Sequence, residues 1–125
     1  MKLYGILLAA ACLAAGCAKA NPTLSGGHPV SHWVEALKSR DAKERQKAVA
    51  KLGNVGPSDA AVVPALLGAL KDPAAEVRRE TIVALVKCGA DARSALPTLA
   101  NLRQSDRDAK VRDYAGRAMS KLQDG

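Results

Sequence analysis

The chain has 125 residues, of which 19 are lysine or arginine and 12 are aspartate or glutamate, so its formal net charge is +7 at pH 7. Phenylalanine is absent and aromatic residues make up only 2% of the sequence, which disfavours folds built from aromatic-rich strands. The abundant alanine and leucine suit close-packed helices. We therefore expect an all-α fold whose excess of basic groups attracts anionic partners.

The N-terminus has the pattern of an export signal. One positive charge, on Lys2, precedes an uncharged apolar run of 13 residues from Leu3 to Ala15. A helix that spans a bilayer needs about 20 apolar residues, so this run is too short to be one. Residues 1–16 are therefore predicted to be a signal peptide.

Small residues and a cysteine follow that run, in the order Ala14-Ala15-Gly16-Cys17. This sequence resembles the lipobox of bacterial lipoprotein signal peptides, which implies that Cys17 becomes the first mature residue and carries acyl chains. The implied location is the cell envelope, and the outer membrane where there is one, because the residue after the cysteine is Ala18 and not Asp. An ordinary secretory peptide cut near Ala18 or Ala20 is the alternative.

Removing residues 1–16 takes away Lys2 alone among the charges, which leaves 18 basic and 12 acidic groups and a net charge of +6. Residues 17–30 contain Asn21-Pro22, Gly26-Gly27 and Pro29. Glycine and proline at this density predict a flexible tether between the membrane and the folded domain.

Six helices in three hairpins are predicted from residue 31 onward, in repeats of about 31–56, 58–89 and 91–123. In the first repeat a helix begins at Ser31, and a second begins at Asp41 and ends at Gly53 and Gly56. In the second repeat a helix begins at Ser58 or Asp59, and its buried stripe is Val63, Leu66, Leu67 and Leu70. Its partner helix begins at Asp72-Pro73 and ends at Gly89. The third repeat follows the same plan.

The second helices share one sequence pattern at a spacing of 33 or 34 residues. It runs from Arg45 to Leu52, from Arg78 to Leu85 and from Arg112 to Met119. Self-similarity at this period is typical of stacked helical units that share one continuous core. The sequence therefore predicts a short α-solenoid of about three antiparallel helix hairpins, covering residues 31–125.

The second unit carries a family resemblance. Its segment from Val62 to Pro73, followed by Glu76-Val77-Arg78-Arg79-Glu80 and by Cys88-Gly89, resembles a HEAT-like repeat of the short, alanine-rich type known from phycobilisome lyases. The resemblance implies a right-handed stack whose second helices line a concave, protein-binding face. It implies no activity, because the family includes scaffolds, lyases and a few nucleic-acid enzymes.

Three aligned arginines, Arg45, Arg78 and Arg112, have a structural interpretation. The last two lie six residues after Asp72 and Asp106. The resemblance implies an Asp/Arg ladder that ties the turn of one unit to the helix of the next. We favour this role over ligand binding, because the planar guanidinium can bond several carbonyls and carboxylates together.

An outward-facing stripe of the second helices is the candidate partner-binding surface. A charged stripe is often only a solvated face, but this one could bind an acidic partner protein. Its predicted members are Lys47, Lys51, Arg79, Lys87, Tyr114, Arg117 and Lys121.

No catalytic, cofactor or metal site is predicted. His28 and His32 lack a third ligand, and Pro29 argues against one helix that carries both. Cys88 occupies an aligned apolar position, which favours a buried thiol. The preferred function is thus a non-catalytic, lipid-anchored scaffold for another protein. One alternative is an enzyme or accessory factor like the phycobilisome lyases. The other is a binder of an anionic polymer. Because the protein is predicted to be exported, that polymer would be a polysaccharide rather than a nucleic acid.

Overall fold

The computed structural model describes residues 24–125. The predicted signal peptide, the acylation site at Cys17 and the first part of the predicted tether lie outside the described residues. Within them, no helix is long and apolar enough to cross a membrane.

The described chain folds as a short α-solenoid, which confirms the predicted all-α class. Three antiparallel helix pairs follow one another, and two short 3-10 segments, Gly56–Ser58 and Gly89–Ala95, connect them. The helices are α1 Val30–Ala36, α2 Ala42–Val55, α3 Val62–Ala69, α4 Ala75–Cys88, α5 Leu96–Ser105 and α6 Ala109–Asp124.

The second helix of each pair belongs to an inner layer. Helices α2, α4 and α6 pack side by side with extensive contacts, whereas α1, α3 and α5 contact one another far less. Helices on the inner side of a curved stack lie closer together than those on its outer side. The second helices therefore form the concave side, as the family resemblance implies.

Several helix ends differ from their predicted positions. Asp41 caps α2 as expected, its side chain accepting from the Lys43 amide at 2.9 Å, and Gly56 ends this helix with a φ of 70°. Gly53 does not end it but lies inside. Helix α3 begins only at Val62, because residues 56–58 form the 3-10 turn first.

Asp72 does not cap α4 as predicted. That helix begins at Ala75 after an N-cap at Ala74, and the Asp72 carboxylate instead accepts from the Ala74 amide at 2.9 Å. The carboxylate faces the preceding unit, where Arg45 binds it.

The end of the predicted tether is folded, which corrects the expectation of flexibility for residues 24–30. Strands β1 Leu24–Ser25 and β2 His28–Pro29 pair antiparallel around Gly26 and Gly27. Both glycines have positive φ, 58° and 80°, so the residues taken as a sign of flexibility instead permit a tight hairpin turn.

The hairpin is bonded to the first helix pair. The Trp33 indole Nε1 donates to the Ser25 carbonyl at 2.8 Å, and the Ser25 hydroxyl donates to the Lys51 carbonyl at 3.1 Å. Trp33 is buried beneath it. The hairpin thus covers the N-terminal end of the stack.

One hydrophobic core runs through all three pairs. On α3 the buried stripe is Val62, Leu66 and Leu70, whereas the predicted Val63 and Leu67 are only half-buried at its flanks. The largest fully buried side chains elsewhere are those of Leu52, Ile82, Leu85, Leu99 and Leu122.

Two arginines form a ladder along the starts of the second helices. Arg45 binds the Asp72 carboxylate with Nε and Nη2 at 2.7 and 3.0 Å, and Arg78 binds Asp106 at 2.8 and 2.9 Å. Each arginine also donates to two backbone carbonyls of its own turn. The family resemblance implied that the turn of one unit is tied to the helix of the next. The structure has the opposite direction, since the second helix of one unit is tied to the turn of the following unit.

The ladder keeps its carboxylates ionised. Burial alone would raise the pKa of Asp72, but the hydrogen bonds from Arg45 and the Ala74 amide outweigh that effect, so its pKa lies below the ordinary 3.8. Asp106 has a lowered pKa for the same reasons, with Arg78 as its partner. Bidentate, charge-assisted bonds of this kind are strong and fix the relative orientation of both groups.

We predict that Arg78→Ala lowers the free energy of unfolding by about 3–5 kcal/mol, because it leaves the Asp106 carboxylate buried without its partner. Arg112→Ala is the matched control. Arg112 occupies the same helix position but donates to the Asp106 carbonyl, at 2.7 Å, and to no carboxylate of the described residues, so we expect a loss of about 1 kcal/mol. Urea denaturation followed by circular dichroism measures both, and equal losses would contradict the ladder's role.

Candidate protein-interaction site

The seven residues of the predicted binding stripe all lie on the second helices. Lys47, Lys87, Arg117 and Lys121 are exposed, as is Tyr114, at 38%. Lys51 and Arg79 are half-buried. The structure divides this set into members that are engaged within the chain and members that surround a groove.

Two lysines of α2 are engaged by the N-terminal hairpin and α1. The Lys47 ammonium lies 5.9 Å from the centroid of the Trp33 ring, within range of a cation–π interaction. The Lys51 side chain lies against the hairpin turn, with Nζ 3.0 Å from the position that a Cβ on Gly26 would occupy. These two lysines thus serve the attachment of the hairpin.

Arg79 is also engaged, between α4 and α6. Its guanidinium lies 3.6 Å from the carboxylate of Asp108, the N-cap residue of α6. This ion pair joins α4 to the start of α6 next to the ladder.

The other four members surround a groove between α4 and α6, which we call the α4–α6 groove. It has a volume of about 280 Å³. Its apolar lining consists of Ile82, Val83, Val86 and Ala118, which the sequence analysis did not place in the site. Its polar lining consists of Lys87, Tyr114, Arg117 and Lys121.

The groove has a basic mouth and an apolar bottom. Its three cationic side chains are exposed, whereas Ile82 and Ala118 are buried and Val83 and Val86 half-buried. Arg117 forms one solvated ion pair with Asp113 at 3.1 Å, and Lys87 donates to the Asn54 amide oxygen at 3.2 Å. Among residues 24–125, no acidic side chain pairs with Lys87 or Lys121.

One aligned position differs between the two interfaces of the inner layer. In α2 that position is Gly53, where an added Cβ would lie only 2.7 Å from the Ala84 Cβ. The two helices therefore touch there. In α4 the position is Val86, whose larger side chain leaves no such close approach, and the groove forms beside it.

Among the described residues, no group of three or more potential metal ligands is present, and every buried side-chain polar atom has a hydrogen-bond partner. Cys88 is buried, and its pKa is raised, first by burial and then by the nearby charge of Asp91, so the thiol form is favoured. His28 and His32 stack at 4.2 Å between ring centroids, on β2 and α1.

A family model described as HEAT repeats matches residues 30–120. That range covers most of the chain and all three helix pairs. No curated protein matches the chain.

We predict that Gly53→Ala destabilises the fold. The new methyl group would meet Cβ and Cα of Ala84, at 2.7 and 3.0 Å, and these atoms cannot move without shifting α4. Overpacking of this kind costs about 1–3 kcal/mol, which exceeds the gain of up to about 1 kcal/mol from replacing a helical glycine.

The matched control is Gly68→Ala on α3, where no atom lies within 4 Å of the new Cβ. We expect that change to stabilise the protein by up to about 1 kcal/mol. Thermal unfolding of both variants measures the contrast, and a Gly53→Ala variant as stable as the parent would rule out the close contact.

Proposed function

The chain belongs to the HEAT-repeat family, and from this we propose that it is a non-catalytic scaffold that holds another protein at the bacterial cell envelope. HEAT repeats in general mediate protein–protein interaction. The proposal assigns the contact to the exposed side of the inner helices and the attachment to a lipid on Cys17.

The α4–α6 groove is the observation that carries the binding role. Apolar side chains next to exposed basic groups are typical of interface patches, in which an apolar centre is surrounded by a polar rim. Tyrosine and arginine are enriched among residues that dominate binding energies, and Tyr114 and Arg117 both line this groove.

Acyl chains on Cys17 would hold the domain at the membrane surface, since each buried methylene contributes about 0.8 kcal/mol. Because the hairpin begins at Leu24, only residues 17–23 separate the proposed anchor from the folded part. Seven residues reach about 25 Å at most when fully extended. The groove would therefore act on partners close to the bilayer, at the outer membrane where one is present, because Ala18 follows the cysteine.

We predict that Cys17→Ser abolishes acylation and releases the protein from membranes, because it removes the sulfur that would carry the lipid. Cys12→Ser is the matched control, since it changes a cysteine inside the predicted apolar run and should leave acylation intact. Metabolic labelling with a palmitate analogue, followed by membrane fractionation, measures both. A labelled Cys17→Ser protein would refute the lipid anchor.

We predict that a photoreactive benzoylphenylalanine in place of Tyr114 crosslinks the chain to a partner protein in intact cells. The control places the same group at Gln104, which is exposed on α5, a helix of the outer layer. Adducts at position 114 and not at position 104, seen by electrophoresis and mass spectrometry, are the expected result. Equal adducts at both positions, or none, would count against a scaffold that uses the inner helices.

A further inference from the structure

We propose that the α4–α6 groove binds a short acidic segment of a partner protein that carries aliphatic side chains between its carboxylates. This inference rests on the proposed scaffold function and adds the chemistry of the segment. The aliphatic side chains would pack on Val83 and Val86, and the carboxylates would pair with Lys87, Arg117 and Lys121.

Val83 supplies the first argument, because its side chain lies outside the hydrophobic core. Ile82 belongs to the hydrophobic core and Val86 packs against it, whereas Val83 is half-buried yet lies outside the core cluster. An apolar side chain in this position contributes more when a ligand covers it than when water does. The lining therefore favours a ligand with aliphatic groups over one that is only charged.

Charge supplies the second argument. Three cationic side chains line the groove and no carboxylate does. All three of these side chains are exposed. The positive charges that line the groove complement carboxylates on the partner.

Size supplies the third argument. The α6 residues along the groove, from Tyr114 to Lys121, extend over about 10 Å of helix axis. That length matches about two turns of a helical segment or about three residues of an extended one. At about 280 Å³ the groove has room for a few side chains of such a segment.

The experiment measures fluorescence anisotropy of a labelled synthetic peptide with two central leucines flanked by glutamates, using the full chain in neutral detergent. One comparison peptide replaces the leucines by serine, and a second replaces the glutamates by lysine. We expect the parent chain to bind the leucine–glutamate peptide at least about tenfold more tightly than either comparison peptide, a difference of about 1.4 kcal/mol. Equal binding of the serine peptide would overturn the proposal, because it would reduce recognition to charge alone.

The charge variant is Lys121→Glu, and its matched control is Lys110→Glu on the same helix, which makes the identical change in net charge. Lys110 is exposed, does not line the groove, and lies about 16 Å from Lys121 along the helix axis, beyond the Debye length of about 8 Å at physiological salt. We expect Lys121→Glu to weaken binding at least about tenfold and Lys110→Glu less than about twofold. Similar losses in both variants would overturn the proposal.

The apolar variant is Val83→Ser, with Val63→Ser as its control, since Val63 is also half-buried but lies on α3. Circular dichroism shows that each variant is folded before binding is measured. Loss of binding in Val83→Ser alone supports the groove. Unchanged binding of the leucine–glutamate peptide by Val83→Ser overturns the proposal. Stronger binding of heparin than of this peptide by the parent chain also overturns it, in favour of an anionic polymer.

The two proposals can fail separately. Crosslinks at position 114 together with no peptide binding would reject the acidic–aliphatic segment and leave the scaffold function in place. Peptide binding without any crosslinked partner would reject the scaffold function in cells and leave the groove's chemistry established.

Discussion

A buried arginine near the start of a second helix sets how each unit of this solenoid meets the next. Arg45 and Arg78 hold the carbonyls of their own turns and, through both ends of a planar fork, the carboxylate of the following turn. Because a bidentate pair fixes orientation as well as distance, one end of the inner layer has a defined register. A pair that is shielded from water in this way is costly to break, so the register holds while other contacts change.

At the opposite end of the same helices, side-chain size differs from one interface to the next. Gly53 lets α2 contact Ala84 directly, whereas Val86 occupies the equivalent place in α4 and the α4–α6 groove opens beside it. Arg78 of α4 binds Asp106 just before α6 and so fixes these two helices at one end. The α4–α6 groove lies between them at the other end. A groove thus lies at one interface of a repeated structure, while the helices of the neighbouring interface touch at Gly53 and Ala84.

The repeat period was enough to predict the class of fold, because each unit must bury the same apolar row against its neighbours. The sequence could not predict which turn each arginine reaches, since Asp72 lies only six residues from Arg78, yet Arg78 binds the carboxylate of Asp106, 28 residues away. The hairpin at Gly26-Gly27 was missed for a related reason. Glycine permits both a flexible segment and a left-handed turn, and only the tertiary bonds of Ser25 decide between them.

The basic side chains of the candidate site were predicted from their outward positions, but the apolar lining was not. Periodicity assigns Val83 and Val86 to a helix without saying how far the next helix lies from them. Comparing aligned positions would have found the signal, since glycine in one unit and valine in the next implies unequal helix spacing. In a stack whose units contact only their neighbours, such a difference changes one interface and leaves the rest of the core in place. The inner layer can therefore carry a binding groove without loss of the ladder that holds it together.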